Sequence, residues 1–343
     1  MAISFYMNKV KVFQNIIDNL LKLMPFKVSY SLSFNDADLN KLTKFSYIDN
    51  EYNNIILLLQ GPVTNWNYLI TSLEFYNSCN LFNKIVLTTW FGELSHLQIE
   101  QINNLKNIIL IQNIKPKNPG ISNINLQILS TLNGLKYIKL NYPFSRVIKS
   151  RTDQRLLNIN CIHFLNSLLK AYPINYLTFK SRLIICSFNT FKYRVYSISD
   201  MFMYGHIDDL LIFWDQELES NQITTLEIEA PRTMTSWSKL NLAEVYLVTN
   251  FLKKIDYYHD WSIENYWKLF KLYFIVIDPS MIGLEWIKYT FNNKMGNINQ
   301  FNLRERYFFF SDWLMLQNEE INIDYNHIEK KIQFNENIKF EKN

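Results

Sequence analysis

The sequence predicts an α/β protein: a mixed sheet flanked by helices, with helical additions in its C-terminal half. Three observations carry this. From about residue 54, short apolar runs alternate with helix-length patterns, the βαβ rhythm of a parallel sheet covered on both faces. The strand Arg146 to Ser150 then runs straight into Arg151-Thr152-Asp153-Gln154-Arg155, ionic and amide groups where bland turn residues would suffice. Ligands of open α/β sheets bind outside the carboxyl ends of strands, so this is how the edge of a site looks. Finally, no internal repeat or Gly/Ser-rich linker divides the chain, so the later segments wrap around the first half instead of forming a second independent unit.

Taken in order, Val10, Phe13, Ile16, Ile17, Leu20 and Met24 recur at helical spacing beside Lys9, Lys11 and Lys22, and Pro25 ends the pattern. Such a helix either packs on the domain or lies on an anionic membrane surface. Ile55 to Leu59 is a strand, Asn67 to Tyr76 a helix, Lys84 to Thr88 a strand and Leu94 to Leu105 a helix. Strand Asn107 to Ile111 and helix Asn123 to Ile138 follow, before the strand at Arg146. Thereafter Leu183 to Ser187 and Met201 to Tyr204 read as strands, and Ile207 to Trp214, Asn241 to Leu252 and Ile263 to Tyr273 as helices. From Asn318 the chain is polar and charged, a loosely held tail.

Composition limits the function. The 343 residues, 48% hydrophobic, are enough to bury a large core. A net charge of +4 without a basic run argues against nucleic acid, while it suits a phosphorylated small molecule or an anionic membrane. The three cysteines, Cys79, Cys161 and Cys186, form no CxxC pair and read as reduced and buried. No apolar run has membrane-spanning length, and Gln14, Asn15, Asp18 and Asn19 interrupt any signal-peptide core, so the expected place is the cytoplasm or its membrane face.

Candidate chemistry gathers at strand ends. There is no GxGxxG and no P-loop among the seven glycines, but Gln60-Gly61-Pro62 at the first strand's end either brings backbone N–H groups to a nucleotide or makes an ordinary tight turn. Asp153, beside Arg151, Gln154 and Arg155, suits a divalent metal on a diphosphate, with the arginines on phosphate oxygens; a surface ion-pair cluster is the alternative. A second carboxylate two residues earlier would sharpen the metal assignment, but Arg151 stands there. Asp200, heading an aromatic and Met-rich strand, and Glu244, early in its helix, have the character of catalytic acids or bases, against plain capping roles. The histidines show no metal spacing.

These motifs, in order, resemble those of the WavE-like lipopolysaccharide-synthesis proteins. They are Leu59 to Val63, Leu87-Thr88-Thr89-Trp90, Asn118-Pro119-Gly120, Asn125 to Thr131 with Gly134-Leu135, Lys149 to Asp153, Ser199 to Gly205, and Ala243-Glu244-Val245-Tyr246-Leu247. The resemblance implies a GT-A-like glycosyltransferase taking a nucleotide-sugar donor and a glycan or glycolipid acceptor of lipopolysaccharide or capsule type, with Mn or Mg as a cofactor. It implies a domain over 54–317, nucleotide-binding over about 54–155 and acceptor-binding over about 156–317, after a lead-in of 1–53 and before a tail of 318–343. Gln60, Gly61, Pro62, Thr89 and Trp90 would border the donor, with Asn125, Gln127, Lys149, Arg151 and Asp153. Asp153 would take the metal, and Asp200 and Glu244 would face the acceptor as catalytic groups. Leu126 stands where the family often has Arg, Asn118 where it often has Asp and Ala243 where it often has Pro. A non-catalytic nucleotide- or glycan-binding protein of an assembly complex is the competing class, which the departures at Leu126 and Asn118 permit. A nucleotidyl- or phosphotransferase would want a phosphate loop that the sequence lacks.

Overall fold

The computed structural model describes residues 54–158, 160–174, 178–220, 234–240, 243–287, 307–318 and 323–328. The helix expected over Val10 to Met24 and most of the polar tail lie outside them.

Four strands run parallel: β1 (Ile55–Gln60), β2 (Lys84–Trp90), β3 (Ile108–Asn113) and β4 (Arg146–Arg151). Between them come α1 (Trp66–Cys79), α2 (His96–Asn103) and α3 (Ile124–Asn141). After β4 the chain makes β5 (Gln154–Leu156), α4 (Cys161–Ala171), β6 (Leu183–Cys186), β7 (Met203–His206) and α5 (Ile207–Trp214). It continues through α6 (Met234–Lys239), α7 (Glu244–Lys254), α8 (Ile263–Leu272), β8 (Phe274–Ile277), β9 (Leu284–Trp286) and α9 (Phe310–Gln317). The main sheet has the order β3-β2-β1-β4-β7-β6-β8, and β7 alone runs antiparallel to its neighbours. β5 and β9 form a separate antiparallel ribbon.

This order creates a switch point. The chain steps outward from β1 to β3, then returns to lay β4 on the other side of β1. In register, Gln60 lies opposite Arg151 on one side, so β1 and β4 end level, and opposite Thr88 on the other, with β2 running two residues further to Trp90. Crevices at such points are where open α/β sheets bind ligands.

Burial explains the strands. Every residue of β1 is buried, as expected where helices cover both faces. α3 lies directly across β1 and β2. A Cβ on Gly134 would come within 2.4 Å of a Leu58 methyl and 2.9 Å of the Thr88 methyl, so glycine sets how closely this helix sits on the sheet. The second half is held by aromatic packing. Trp313 of α9 donates its indole N–H to the Phe270 and Phe274 carbonyls, and Phe308 stacks on Phe270 at 4.4 Å.

The structure moves several expected boundaries. The strand expected from Met201 begins at Met203, which leaves Asp200 in a loop. The helix expected from Asn241 begins at Glu244, after Ala243 at φ 38°. The β5–β9 ribbon, α4 and α9 were not legible as elements in the sequence; the ribbon strands have only three residues each and depend on each other across 130 positions of chain. Part of the polar tail is packed: Ile323, Tyr325 and Ile328 lie against the core, with the Tyr325 ring 5.9 Å from Trp267. Cys161 and Cys186 are buried, whereas Cys79 is half-buried. Burial pushes the Cys161 and Cys186 thiols up to about 12. Among the described residues no helix is long and apolar enough to cross a membrane.

Candidate functional site

A cleft of about 470 Å³ opens over the carboxyl ends of β1, β2 and β4. Its floor is Gln60, Gly61, Pro62, Trp90 and Arg151; the start of α3 gives Ser122, Asn123, Leu126 and Gln127. Asn189, Phe191, Arg194, Asp200 and Met201 line one wall, and Ala243, Glu244, Val245 and Trp286 complete it.

The β1 end is held open by local bonds. Gly61 sits at φ 116°, a conformation that side chains disfavour, and its N–H donates to the Thr88 carbonyl at 3.1 Å. Thr152 donates its hydroxyl to the Pro62 carbonyl at 2.7 Å, tying this turn to the end of β4. Gln60, 2% exposed, accepts from the Ser130 hydroxyl at 2.9 Å, while its Nε2 has no protein partner. A buried amide with one end unsatisfied, at a cleft floor, is a group awaiting a ligand or water.

The acids sit across the cleft from this floor. Asp200, 4% exposed, has its Oδ2 buried without a hydrogen-bond partner. Its backbone carbonyl accepts from the Lys149 ammonium, which also lies 4.6 Å from the Trp214 ring centroid. Glu244 opens α7 and pairs with Arg194 at 3.7 Å. Burial raises the Glu244 pKa; Arg194 opposes this and Asp200 adds to it. Arg194 is held from behind, 3.7 Å over the Phe191 ring and bonded to the Ser197 hydroxyl at 2.7 Å.

Of the expected site residues, Gln60, Gly61, Pro62, Trp90, Gln127, Arg151, Asp200 and Glu244 meet in this cleft. The remaining four stand behind it. Thr89 donates to Glu93 at 2.9 Å, and the same carboxylate accepts the Val63 N–H, so Thr89 shapes the β1 turn from below. Asn125 uses its amide to hold the Glu219 backbone, accepting at 2.6 Å and donating at 2.8 Å. Lys149 is fully buried inside the sheet, with its ammonium committed to Asp200, so it does not line the cleft. Asp153 is clamped by Arg151, whose Nε and terminal nitrogen donate to its two oxygens at 2.8 and 3.0 Å. Burial disfavours the Asp153 carboxylate, but Arg151, helped by the Trp286 indole, outweighs it and holds the pKa below the ordinary value.

Arg194, Asn189 and Trp286 were missed. Arg194 meets Glu244 across fifty residues, and Trp286 reaches the cleft only through the β5–β9 ribbon, so no local pattern marks either. Among the described residues no group of three or more His, Cys, Asp or Glu side chains is placed to hold a divalent metal, and both Asp153 oxygens accept from Arg151.

A mostly parallel sheet with one reversed strand and a polar cleft over its strand ends defines a GT-A-like α/β protein. Comparison with known families is specific. The model of the WavE lipopolysaccharide synthesis family matches residues 55–341, and the chain belongs to that family. Membership implies a part in lipopolysaccharide synthesis. No curated protein matches the chain.

Proposed function

We propose that this protein is a glycosyltransferase that moves a sugar from a nucleotide-sugar donor to a hydroxyl of a growing surface glycan. The observation that carries the reading is Asp200: a buried carboxylate oxygen with no protein partner, on the wall of the cleft, beside Glu244. Leaving such an oxygen unsatisfied costs about 1–3 kcal/mol, which a reacting hydroxyl would recover by donating to it.

In this reading the donor's diphosphate lies over the β1 and β4 ends and its sugar points toward the acids. The acceptor oxygen attacks the anomeric carbon, and the bond from that carbon to the diphosphate oxygen breaks. The electron pair leaves with the nucleoside diphosphate, and the hydroxyl proton passes to Asp200. Asp200 is the base and Glu244 a positioning acid, its charge tempered by Arg194. A single direct displacement of this kind inverts the anomeric configuration. Asn125, Lys149 and Thr89 act at one remove, by fixing the Glu219 loop, the Asp200 backbone and the β1 turn.

The acceptor of such a reaction is a glycolipid or its glycan, and the helical stripe from Val10 to Met24 with Lys9, Lys11 and Lys22 suits peripheral attachment to the anionic membrane that carries it. The test of the enzyme reading is turnover of a panel of nucleotide sugars, with and without lipid-linked acceptors. Release of nucleoside diphosphate that falls roughly 10²–10⁴-fold in Asp200→Asn, with donor affinity unchanged, supports it. A protein that binds a nucleotide sugar but never releases its diphosphate, even slowly to water, is a binding module instead.

A further inference from the structure

We infer that the charge of the donor diphosphate is met by the Arg151 guanidinium, clamped from behind by Asp153, and that no divalent cation is needed. The inference rests on the transferase reading above.

Charge and geometry both point this way. In Lys149-Ser150-Arg151-Thr152-Asp153 a cation stands two residues before the aspartate, where a second carboxylate would help hold a metal. Arg151 occupies the last position of β4 and lines the cleft, whereas Asp153 does not. Both oxygens of Asp153 accept from Arg151, in the two-pronged geometry that gives guanidinium–carboxylate pairs their directionality. The Trp286 ring, 5.2 Å from the guanidinium carbon, adds a second wall. A metal on Asp153 would have to share a carboxylate already paired to Arg151 and sit beside that like charge.

The arrangement does what a metal would do for a leaving diphosphate. A fixed positive group at a cleft floor, oriented before the reaction, needs no rearrangement as charge develops. Arg194, which also lines the cleft, brings a second guanidinium to it. The Asp153 carboxylate then serves to aim Arg151, which makes it a positioning residue.

The test is calorimetric titration of the full chain with UDP, GDP, CDP and ADP and the matching monophosphates, once in EDTA and once in excess manganese. The expected result is one nucleoside diphosphate binding with the same Kd in both buffers. Arg151→Gln should weaken that diphosphate by roughly 10- to 100-fold, the loss expected for a charge-assisted hydrogen bond, and the monophosphate much less. Diphosphate binding that tightens tenfold or more with manganese overturns the inference while leaving the transferase reading intact. So does an unchanged diphosphate Kd in Arg151→Gln. Absence of binding by every nucleotide in both buffers removes the transferase reading and the inference with it. The comparison of buffers uses the wild-type chain, so it decides the matter even if Arg151→Gln does not fold; Arg151→Lys, which keeps the charge and loses the fork, gives an intermediate Kd if the inference holds.

Discussion

Replacing Lys149 by methionine should change how stability responds to pH, and the size of the change follows from its burial. Lys149 is fully buried in the sheet, and burial pushes its ammonium down to about 8 from 10.5, more than Asp200 and Asp153 push it back up. The gap, 10.5 minus 8, is about 2.5, and each unit corresponds to about 1.4 kcal/mol, so holding the charged amine in the fold near pH 7 costs about 3 kcal/mol. Because the folded value lies below the unfolded one, the unfolded chain holds more protons between 8 and 10.5, and stability rises with pH through that window. From about pH 7 to about pH 9.5 the wild type should gain about 2 kcal/mol from this residue, and Lys149→Met should gain none of it. At about pH 7 the variant loses the bond to the Asp200 carbonyl, about 1–3 kcal/mol, and the contact over Trp214, up to about 2 kcal/mol, while escaping the desolvation cost. It should therefore be near neutral at pH 7 and clearly less stable than wild type at high pH. Urea unfolding of both proteins at the two pH values measures this. Parallel stability curves would refute the depressed ammonium and the packing argument behind it.

Arg194→Gln should raise the Glu244 pKa further, by removing a cation that opposes the effect of its burial, and Asp200→Asn should lower it; carboxyl NMR titration reads both, and equal or reversed shifts would show that the three groups do not share one field. Ala243→Pro cannot adopt the φ of 38° seen before α7, because the proline ring holds φ near −65°. It should cost about 1–3 kcal/mol or turn Glu244 away from the cleft, visible as a lower Tm or a changed Glu244 titration, whereas Ala243→Gly should relieve strain. For the N-terminal stripe, the full chain should sediment with anionic vesicles at low salt and a chain starting after Pro25 should not. If neither binds, or the shortened chain is insoluble, the apolar stripe serves the fold and not a membrane.

Much of the fold was legible because it is encoded along the chain. Strands β1 and β2 are built on runs of Ile, Leu and Val whose burial on both faces needs no alternation, β4 keeps only Val147 and Ile148 of that pattern, and the helices between them carry their own periodicity. That same rhythm puts Gln60 and Arg151 at strand ends, and hence at the cleft. The sequence could not say what each polar group would meet. Asp153 is as plausible on paper for a metal as for an arginine; the turn after β4 gave both its oxygens to Arg151. Lys149 looks like a donor contact until β7 and α5 close over it and bring the Asp200 carbonyl and Trp214 to its ammonium. Arg194 and Trp286 carry no local mark, because their place depends on loops that bring positions fifty or more residues apart into contact. Periodicity records which face of an element is buried, since that is decided by the element's own geometry. Which buried charge finds which partner is decided by sheet order and loop closure, and those exist only once the chain has folded.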